Sequence, residues 1–387
     1  MLLKILEKNI RSGILHLHMP DGHSYRFGDH GIEAHWYIKD QAVTRRIATD
    51  WEFQMGETYT RGLWDCGSHE LGKLLAVLRA NFASSQVSRW LQPYSALLQW
   101  NKITRSYANV AHHYDVPEGV FRKFLDQEMF YSCAYFAQEA FTLEQAQQAK
   151  ARHIAEKLLL EPGQKILDIG CGWGSMAFYL AQHYDCEVVG ITLSKEQLAV
   201  AEKEAQKRAV KNVRFQLADY REHQGLYDRI VSIGMFEHVG KPFYATYFRR
   251  IREMLTASGI ALVHSIGRSG PPGITNPWIR KYIFPGGSTP ALSEIASGVE
   301  LSGLMSTDIE VWRLHYARTL HHWLERFQHN RAAIRAIMSE EFCRMWEFYL
   351  AACEASFEYS NLVVYQLQLA RQHGSVPITR DYLYQEK

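Results

Sequence analysis

Short apolar segments alternate with segments of helical length from about residue 150 onward, and this alternation constrains the fold more than any other feature. The strand-like segments are KILDIG, EVVGI, NVRFQL, DRIVSI and GIALVHS. Strands separated in this way usually form a parallel, doubly wound sheet, because each crossover helix packs back onto a face of the sheet. The chain is therefore predicted to contain a domain of the α/β class.

The first hundred residues show a different pattern of predicted strands and helices. GILHLHMPDGHSYRFG alternates apolar and polar residues on both sides of a Pro-Asp-Gly turn, which predicts a β-hairpin. EAHWYI predicts a further strand, and HELGKLLAVLRANF places its leucines on one helical stripe. We predict a small N-terminal α+β domain over residues 1–100, with a boundary near 95–110, and a larger domain over 101–387.

After Gly267 the alternation stops. A Pro- and Gly-rich loop, GRSGPPGITNPWIRKYIFPGG, is followed by helical segments, one of which carries an apolar stripe in FCRMWEFYLAACEASF. LVVYQLQLA, near the end, is a candidate for a last strand. These features predict helical insertions over about residues 268–360.

Charge and composition exclude several classes of function. Lys and Arg number 43 against 41 Asp and Glu, a formal net charge of +2, so the chain has no overall electrostatic footprint for a nucleic acid. The six cysteines include no CxxC pair, which predicts reduced thiols and no metal site. Lys4, Glu7 and Lys8 interrupt the apolar residues of the N-terminus, and no run reaches the roughly 18 apolar residues of a membrane span. A cytoplasmic protein is expected.

The segment ILDIGCGWGS places Asp168 at the end of a strand and Gly170, Gly172 and Gly174 in the following turn. Glycines there let the backbone approach a ligand closely at a helix N-terminus. A nicotinamide or flavin cofactor is disfavoured, because Ser175 replaces the last glycine of that fingerprint and the next strand, CEVVGITLSKEQ, has no acid at its tip. The pattern fits S-adenosylmethionine better.

Three further polar residues follow the next strands. Thr192 and Gln197 are candidates to hydrogen-bond the ribose hydroxyls of that cofactor, and Asp219 is a candidate to accept from its adenine amino group. Each has a plainer interpretation, since Asp219 could be a helix N-cap, and Thr192 and Ser194 could also cap a helix.

With these residues identified, the chain resembles the cyclopropane fatty acid synthases, including the mycolic acid cyclopropane synthases. The resemblance covers residues 105–387, and the first hundred residues match more loosely, chiefly at GETYTRGLWD. The motifs that carry it are AHHYDVPEGVFRKFLDQEMFYSCAYF, DIGCGWGS, GITLSKEQ, SIGMFEHVG, LVHSIG, NPWIRKYIFPGG and HYARTLHHW.

The resemblance implies a class I S-adenosylmethionine-dependent methyltransferase with a seven-stranded sheet, in which residues 101–387 form the catalytic domain. The family reaction transfers a methyl group from S-adenosylmethionine to the cis double bond of a phospholipid acyl chain and then closes a cyclopropane ring. Tyr131 and Ser132 resemble the pair that reaches the carboxylate end of S-adenosylmethionine.

Ring closure removes a proton from a carbocation, and the family uses a bound bicarbonate ion for this step. The resemblance implies that the ion is held by Cys133, Glu237, His264, the backbone of Ile266, and Tyr316. Other roles stay open for three of them: Cys133 as a small buried apolar residue, His264 as a core hydrogen-bonding residue, and Tyr316 as a packing residue.

The aromatic stretch EMFYSCAYF suits such chemistry, because aromatic faces exclude water and still tolerate positive charge. Ordinary core packing is the alternative for any single ring in it. In the later loop, Trp278, Ile279 and Phe284 appear exposed beside Arg280 and Lys281, a mixture that suits the surface of a phospholipid bilayer. An ordinary covering loop is again the alternative.

The sequence thus predicts an enzyme that associates peripherally with the inner face of the membrane and builds cyclopropane rings on unsaturated phospholipids. A homodimer would double weak membrane contacts. One competing hypothesis is a methyltransferase of the same fold that methylates an unsaturated lipid or another small molecule without closing a ring. Another is a lipid-binding protein without catalysis, which would not bind S-adenosylmethionine. An RNA methyltransferase is disfavoured by the balanced charge.

Overall fold

A computed structural model describes residues 1–67, 69–82 and 116–384. The N-terminal part contains a four-stranded sheet in the order β2-β1-β3-β4, in which β1 pairs antiparallel with β2 and parallel with β3. The predicted hairpin, the predicted strand EAHWYI and the predicted leucine helix are all confirmed. The elements are α1 Leu2–Asn9, β1 Ile14–His18, β2 Ser24–Phe27, β3 Glu33–Ile38, α2 Ala42–Thr49, α3 Trp51–Thr60, β4 Trp64–Asp65 and α4 Leu71–Asn81.

The second sheet has seven strands in the order β7-β6-β5-β8-β9-β11-β10. The strands from β5 to β9 run parallel, as predicted, and β11 is antiparallel to both of its neighbours. β10 was not predicted, since it is an edge strand whose sequence, MSTDIEVW, carries little apolar signal. The strands are β5 Lys165–Ile169, β6 Glu187–Thr192, β7 Val213–Leu217, β8 Tyr227–Ile233, β9 Leu255–Arg268, β10 Met305–Trp312 and β11 Leu362–Ala370.

Helices cover this sheet and continue beyond it. The segment predicted as helical insertions, 268–360, also contains β10, so part of it belongs to the large sheet. The boundary predicted near 95–110 lies outside the described residues, and the division into domains stays a prediction. The helices are α5 Glu118–Phe121, α6 Leu143–Leu158, α7 Ser175–His183, α8 Lys195–Lys207, α9 Tyr244–Met254, α10 Pro277–Tyr282, α11 Leu292–Ser302, α12 His315–His329, α13 Arg331–Ile337 and α14 Glu340–Tyr359.

The long helix α14 joins the N-terminal part to the rest of the chain. It packs against α3 and α4 on one side and against α12 on the other. The rings of Tyr59 and Phe348 lie 5.9 Å apart across this junction. One apolar core therefore runs from the small sheet, through α14, to the aromatic stretch around Tyr131.

The expectation that Trp278 is exposed is wrong. Its side chain is only 1% exposed, because α3 of the N-terminal part covers α10. Its ring packs against Phe348 with centroids 4.9 Å apart, and it lies so close to Gly56 that a Cβ there would sit 2.6 Å from the indole. Ile279 and Phe284 are half-buried. The error arose because the covering helix lies more than 200 residues away in the sequence, beyond the reach of a local pattern.

The close contact at Gly56 leads to a stability prediction. We expect Gly56→Ala to lower the free energy of unfolding by about 1–3 kcal/mol, because the added methyl group overpacks against Trp278. Gly72→Ala is the matched control: Gly72 also lies in a helix, but a Cβ there would meet nothing within 4 Å. That change should stabilise by up to about 1 kcal/mol. Urea unfolding of the two variants measures the difference, and equal effects would contradict this packing.

Candidate active site

Two adjoining cavities lie at the carboxyl ends of the parallel strands, where ligands bind in open α/β sheets. The first, called here the glycine-loop cavity, contains eight of the nine residues predicted to bind the cofactor. These eight are Tyr131, Ser132, Asp168, Gly170, Gly172, Thr192, Gln197 and Asp219. The ninth, Gly174, does not line the cavity and instead precedes the first residue of α7.

The glycine loop turns sharply between β5 and α7. Gly170, Gly172 and Gly174 all have positive φ angles, of 82°, 57° and 88°, which residues with a Cβ rarely adopt. The backbone N–H groups of Gly170 and Cys171 both donate to the carbonyl of Ile191, at 2.9 and 3.0 Å. This holds the loop against the end of β6 and places its backbone along the cavity.

The polar residues that follow β6 hold each other in place. The Thr192 hydroxyl donates to Gln197 Oε1 at 2.9 Å, and both side chains line the cavity. Ser194 caps α8 by accepting from the Gln197 N–H at 3.1 Å, so the capping alternative is confirmed for Ser194. Both side chains predicted to reach the ribose hydroxyls are therefore held in place by contacts of their own.

Asp219 also lines the glycine-loop cavity. Its carboxylate accepts from Arg221 Nε at 2.8 Å and from Arg221 Nη2 at 2.5 Å. No helix begins at Asp219, which starts a turn after β7, so the N-cap alternative is wrong. Its contact with an adenine amino group stays a prediction.

Sequence reasoning missed a buried cation beside this cavity. Lys150, on α6, is fully buried; its Nζ donates to Ser132 Oγ at 2.8 Å and lies 3.8 Å from the centroid of the Phe130 ring. Burial lowers the pKa of Lys150, while the nearby carboxyl of Asp126 opposes that shift. A signal was available, because Lys150 falls four residues from both Ala146 and Ile154 on the buried stripe of α6.

The carboxyl of Asp168 shares this buried environment. It is 2% exposed, and its Oδ2 has no hydrogen-bond partner among the described residues. Burial raises the pKa of Asp168 to about 7, and the charge of Lys150 acts in the opposite direction. An acceptor oxygen is thus present in the cavity wall without a donor from the part of the chain that the structure describes.

The second cavity, called here the large cavity, has a volume of about 750 Å³. All five residues predicted to act in catalysis line it: Cys133, Glu237, His264, Ile266 and Tyr316. Residues of α3 and α4 line it too, so the N-terminal part contributes to its wall. The two cavities share one wall, which consists of Tyr131, Ser132, Gly234 and His238.

Glu237 lies on a short 3-10 turn directly after β8. Its Oε1 accepts from the Ile266 N–H at 2.6 Å, while its Oε2 is buried and has no hydrogen-bond partner among the described residues. Burial raises the pKa of Glu237 to about 7, although the hydrogen bond from Ile266 opposes the shift. Near neutral pH both the protonated and the deprotonated form of the Glu237 carboxyl are therefore populated.

The other predicted catalytic side chains are electrically neutral at physiological pH. His264 lies within β9, where its Nδ1 is 3.1 Å from Gln366 Nε2. With the amide N–H as the donor in this contact, His264 carries its proton on Nε2. Burial lowers the pKa of His264 and raises the pKa values of the Cys133 thiol and the Tyr316 hydroxyl. His264 does satisfy a core hydrogen bond and Tyr316 does pack, 4.9 Å from the ring of Phe357, yet both also line the cavity.

The backbone of Ile266 is already engaged on both sides. Its N–H donates to Glu237, and its carbonyl accepts from Ser265 Oγ at 3.0 Å. Its predicted contact with bicarbonate stays a prediction. His238, in the shared wall, has its pKa lowered to about 4 by burial and is therefore a neutral imidazole.

A protein-family model described as mycolic acid cyclopropane synthetase matches residues 101–367. The chain belongs to this family. The cyclopropane-fatty-acyl-phospholipid synthase of Escherichia coli K12 is 37% identical over 337 residues, which are 86% of this chain and 87% of that protein. A probable fatty acid methyltransferase of Pseudomonas putida is 38% identical over 288 residues, 71% of this chain and 73% of that protein.

A solved structure of the family is similar as well. The crystal structure of mycolic acid cyclopropane synthase CmaA1 complexed with SAH and CTAB is 35% identical, with a TM-score of 0.65, and covers 68% of this chain and 97% of that chain. Family membership confirms the resemblance drawn from the motifs. The seven-stranded sheet confirms the predicted α/β fold of an S-adenosylmethionine-dependent methyltransferase, and the chain is an enzyme of that class.

Proposed function

We propose that this enzyme adds a methylene group from S-adenosylmethionine to the cis double bond of an unsaturated phospholipid acyl chain and so forms a cyclopropane ring. The observation that carries the proposal is the wall common to both cavities. Because Tyr131, Ser132, Gly234 and His238 face both, a donor in the glycine-loop cavity would meet an alkene in the large cavity. Proximity of this kind supplies much of the rate of a two-substrate reaction.

The residues of the glycine-loop cavity fit the cofactor. Bound there, S-adenosylmethionine supplies an electrophilic methyl group. The glycine turn leaves room for its amino-acid end, and the unpartnered Oδ2 of Asp168 is an acceptor for a cationic donor group. Thr192 and Gln197 are proposed to bind the ribose, and Asp219 the adenine. SAH, bound in the related CmaA1 structure, is what remains of this cofactor after methyl transfer.

The wall of the large cavity suits a carbocation on the acyl chain. Cys133, His264 and Tyr316 carry no charge, and their shifted pKa values keep them neutral. The ring of Tyr131 is part of the wall, and aromatic faces stabilise a nearby cation without acting as nucleophiles. A bound acyl chain is proposed to displace water from this part of the cavity, since water would otherwise quench the cation.

Proton removal is proposed to involve bicarbonate, held by the Cys133 thiol, His264 Nε2–H, the Tyr316 hydroxyl and Glu237. The fit rests on Glu237 Oε2, which is buried in the cavity wall and has no hydrogen-bond partner within the described ranges of the chain. Two adjacent anions repel each other unless they share a proton. The raised pKa of Glu237 allows its carboxyl to carry that proton and donate it to the anion.

A phospholipid is favoured over a neutral lipid by the charges of the large cavity. Three arginines, Arg79, Arg268 and Arg280, line it against two acids, Glu52 and Glu237, so positive charge is in excess. Guanidinium groups bind phosphate oxygens well, and a phosphodiester lies at the end of each acyl chain of a phospholipid. The described residues include no helix that is both long and apolar enough to cross a bilayer. We propose peripheral access to lipid from the inner face of the membrane, with the arginines of the large cavity meeting the phosphates.

One experiment tests the activity and its substrate. The chain is expressed in cells that lack ring-containing lipids, and the fatty acids are analysed by mass spectrometry. We expect acyl chains that have gained one CH2. In parallel, the purified enzyme is given vesicles of an unsaturated phospholipid or the same acyl chain as a free acid; product from the free acid alone would contradict the phospholipid assignment.

Removal of carbon dioxide and bicarbonate from the buffer should slow the reaction, and added bicarbonate should restore it.

Methylation without ring closure is the second candidate, because one relative is named a probable fatty acid methyltransferase. Without ring closure the cation must lose a proton from another carbon, which leaves a branched alkene. That product gains CH2 as the ring does, so mass alone does not separate the two reactions. NMR of the product does, because only the ring gives cyclopropane protons and only the branched alkene keeps its double bond. A saturated methyl branch, which adds CH4, would require a reductant in addition.

A further inference from the structure

One face of the N-terminal sheet carries a group of histidines. Strands β1 and β3 lie side by side and parallel, with His16 directly opposite His35. Buried Leu15 and Leu17 alternate with the β1 histidines, so the histidines occupy the face that points away from the core. This face lies outside both cavities of the candidate active site.

The side chains on this face approach one another closely. His16 Nε2 lies 2.8 Å from Glu33 Oε1, and the rings of His16 and His35 stack with centroids 4.7 Å apart. Each of these three residues offers one ligand atom within 4.8 Å of the others. Ligands of a tetrahedral Zn²⁺ lie about 3–4 Å from one another, so side-chain rotation must bring these atoms closer together. The rings of His16 and His35, now 12° from parallel, must also turn so that both nitrogen lone pairs point at one ion. Within residues 1–67, 69–82 and 116–384, this is the only such group.

A fourth residue orients the group. His18 Nε2 lies 3.1 Å from His35 Nδ1, and His18 Nδ1 lies 3.0 Å from Ser24 Oγ. His35 therefore uses one ring nitrogen for His18 and has Nε2 for a ligand. Metal-binding histidines commonly have this arrangement, in which a hydrogen bond to the second nitrogen fixes the ring and its tautomer.

We propose that His16, Glu33 and His35 bind a divalent transition-metal ion of the zinc class, with His18 as a residue that positions His35. Two imidazoles and one carboxylate suit Zn²⁺ and its neighbours, whereas Ca²⁺ and Mg²⁺ prefer oxygen ligands alone. Water would complete the coordination. The ion replaces the hydrogen bond between His16 and Glu33 and links β1 to β3.

The prediction of no metal site rested on the cysteines, none of which belongs to this group. The histidines of HLH and EAHW reach one face only through strand pairing, since β1 and β3 are separated by β2 in the chain. The site is independent of the proposed function, because none of its residues lines either cavity.

The test uses the full chain without an affinity tag, freed of metal by a chelator, and titrates it with Zn²⁺ alone by calorimetry. We expect one equivalent to bind. His35→Gln should abolish this binding, and His18→Asn should weaken it by about tenfold, as for other residues that orient a ligand. His30→Gln is the matched control, because His30 is an exposed histidine of the same sheet region, 2.5 Å from the carboxylate of Asp29, and outside the group. It should bind Zn²⁺ as the parent does.

Two outcomes would overturn the proposal. The first is no binding by the parent chain, and the second is a similar loss in His35→Gln and His30→Gln, which would indicate adsorption to scattered surface histidines. Glu33→Gln provides a further variant that changes a single exposed side-chain atom and should also weaken binding. Co²⁺ gives an independent readout, since a tetrahedral site with nitrogen ligands produces strong visible absorption that His35→Gln should lose.

Discussion

Glu237→Gln is expected to lower the rate of cyclopropane formation by about 10²–10⁴-fold, the usual contribution of a positioned proton-transfer group. The amide keeps the size of the side chain and can still accept from the Ile266 N–H. It cannot hold or release a proton at the position of Oε2. Binding of S-adenosylmethionine should be unchanged, because Glu237 does not line the glycine-loop cavity. Product formation on unsaturated vesicles and calorimetry of cofactor binding measure the two effects.

Glu347→Gln is the control for this substitution. Glu347 is also a buried glutamate, but it pairs with Arg331 at 3.0 Å and lines neither cavity. That variant should keep its activity. Ring formation at the parental rate by Glu237→Gln would remove Glu237 from the proposed mechanism.

Glu237→Gln should also increase the free energy of unfolding, by an amount that depends on pH. The pKa of Glu237 is about 7 in the folded protein against 4.5 for an ordinary glutamate, so the folded state binds the extra proton between these values. Stability from this group is therefore present at low pH and is lost as pH rises from about 4.5 to 7. The gain in unfolding free energy of Glu237→Gln over the parent should therefore be about 2–3 kcal/mol larger at pH 8 than at pH 5, since one pKa unit corresponds to about 1.4 kcal/mol. Increased stability with lost activity is typical of a residue retained for function.

Much of the fold could be predicted because the information is local. The short apolar segments of the central strands and the alternation of apolar and polar residues in the N-terminal hairpin depend only on neighbours in the sequence, and they predicted five parallel strands and the hairpin correctly. The glycine loop was equally accessible, since positive φ at Gly170 and Gly172 is a requirement of the backbone itself. Local patterns could not identify the residues of the large cavity as one site, because Cys133 and Tyr316 are far apart in the sequence and are brought together only by the fold. They were found through the resemblance to a family.

The features that were missed depend on contacts between distant segments. Trp278 is covered by α3, and no pattern near residue 278 indicates this. Lys150 was overlooked because lysine on a helix usually faces solvent. Its burial becomes evident only when its place on the apolar stripe of α6 is combined with Asp168 on β5. A residue that opposes its local pattern in this way often marks a functional site.

Lys150→Met is the second change with a large expected effect, and its matched control is Lys157→Met. Both lysines are fully buried on α6 and lie near buried carboxylates, Lys150 near Asp168 and Lys157 at 3.7 Å from Asp308. Lys157 also lies 2.5 Å from Glu310, so Lys157→Met breaks a buried ion pair and should lose about 3–5 kcal/mol of unfolding free energy. Among the described residues no carboxylate oxygen lies within 4 Å of Lys150 Nζ, and burial lowers the pKa of this lysine, so Lys150→Met should lose less. The change in stability therefore does not report on cofactor binding.

Cofactor binding does distinguish them, because only Lys150 contacts the cavity wall. Without its donor, Ser132 loses a charge-assisted hydrogen bond of about 1.5–3 kcal/mol. The dissociation constant of S-adenosylmethionine should then rise by about tenfold or more, since about 1.4 kcal/mol corresponds to tenfold. The pKa of Asp168 should rise further without the opposing cation, which moves the onset of tight binding to higher pH. Lys157→Met should bind the cofactor as the parent does.

Ser132→Ala removes the same hydrogen bond from its other end and keeps the buried charge, so it provides a second measurement should Lys150→Met fail to fold. Weaker cofactor binding without the shift in pH dependence is expected for it, because Asp168 keeps Lys150 as its neighbour. If Lys150→Met and Lys157→Met weaken binding equally, the buried cation acts only on stability. A selective loss in Lys150→Met would instead mean that one buried ammonium group both holds the wall between the two cavities and sets the charge of the acid at the end of β5.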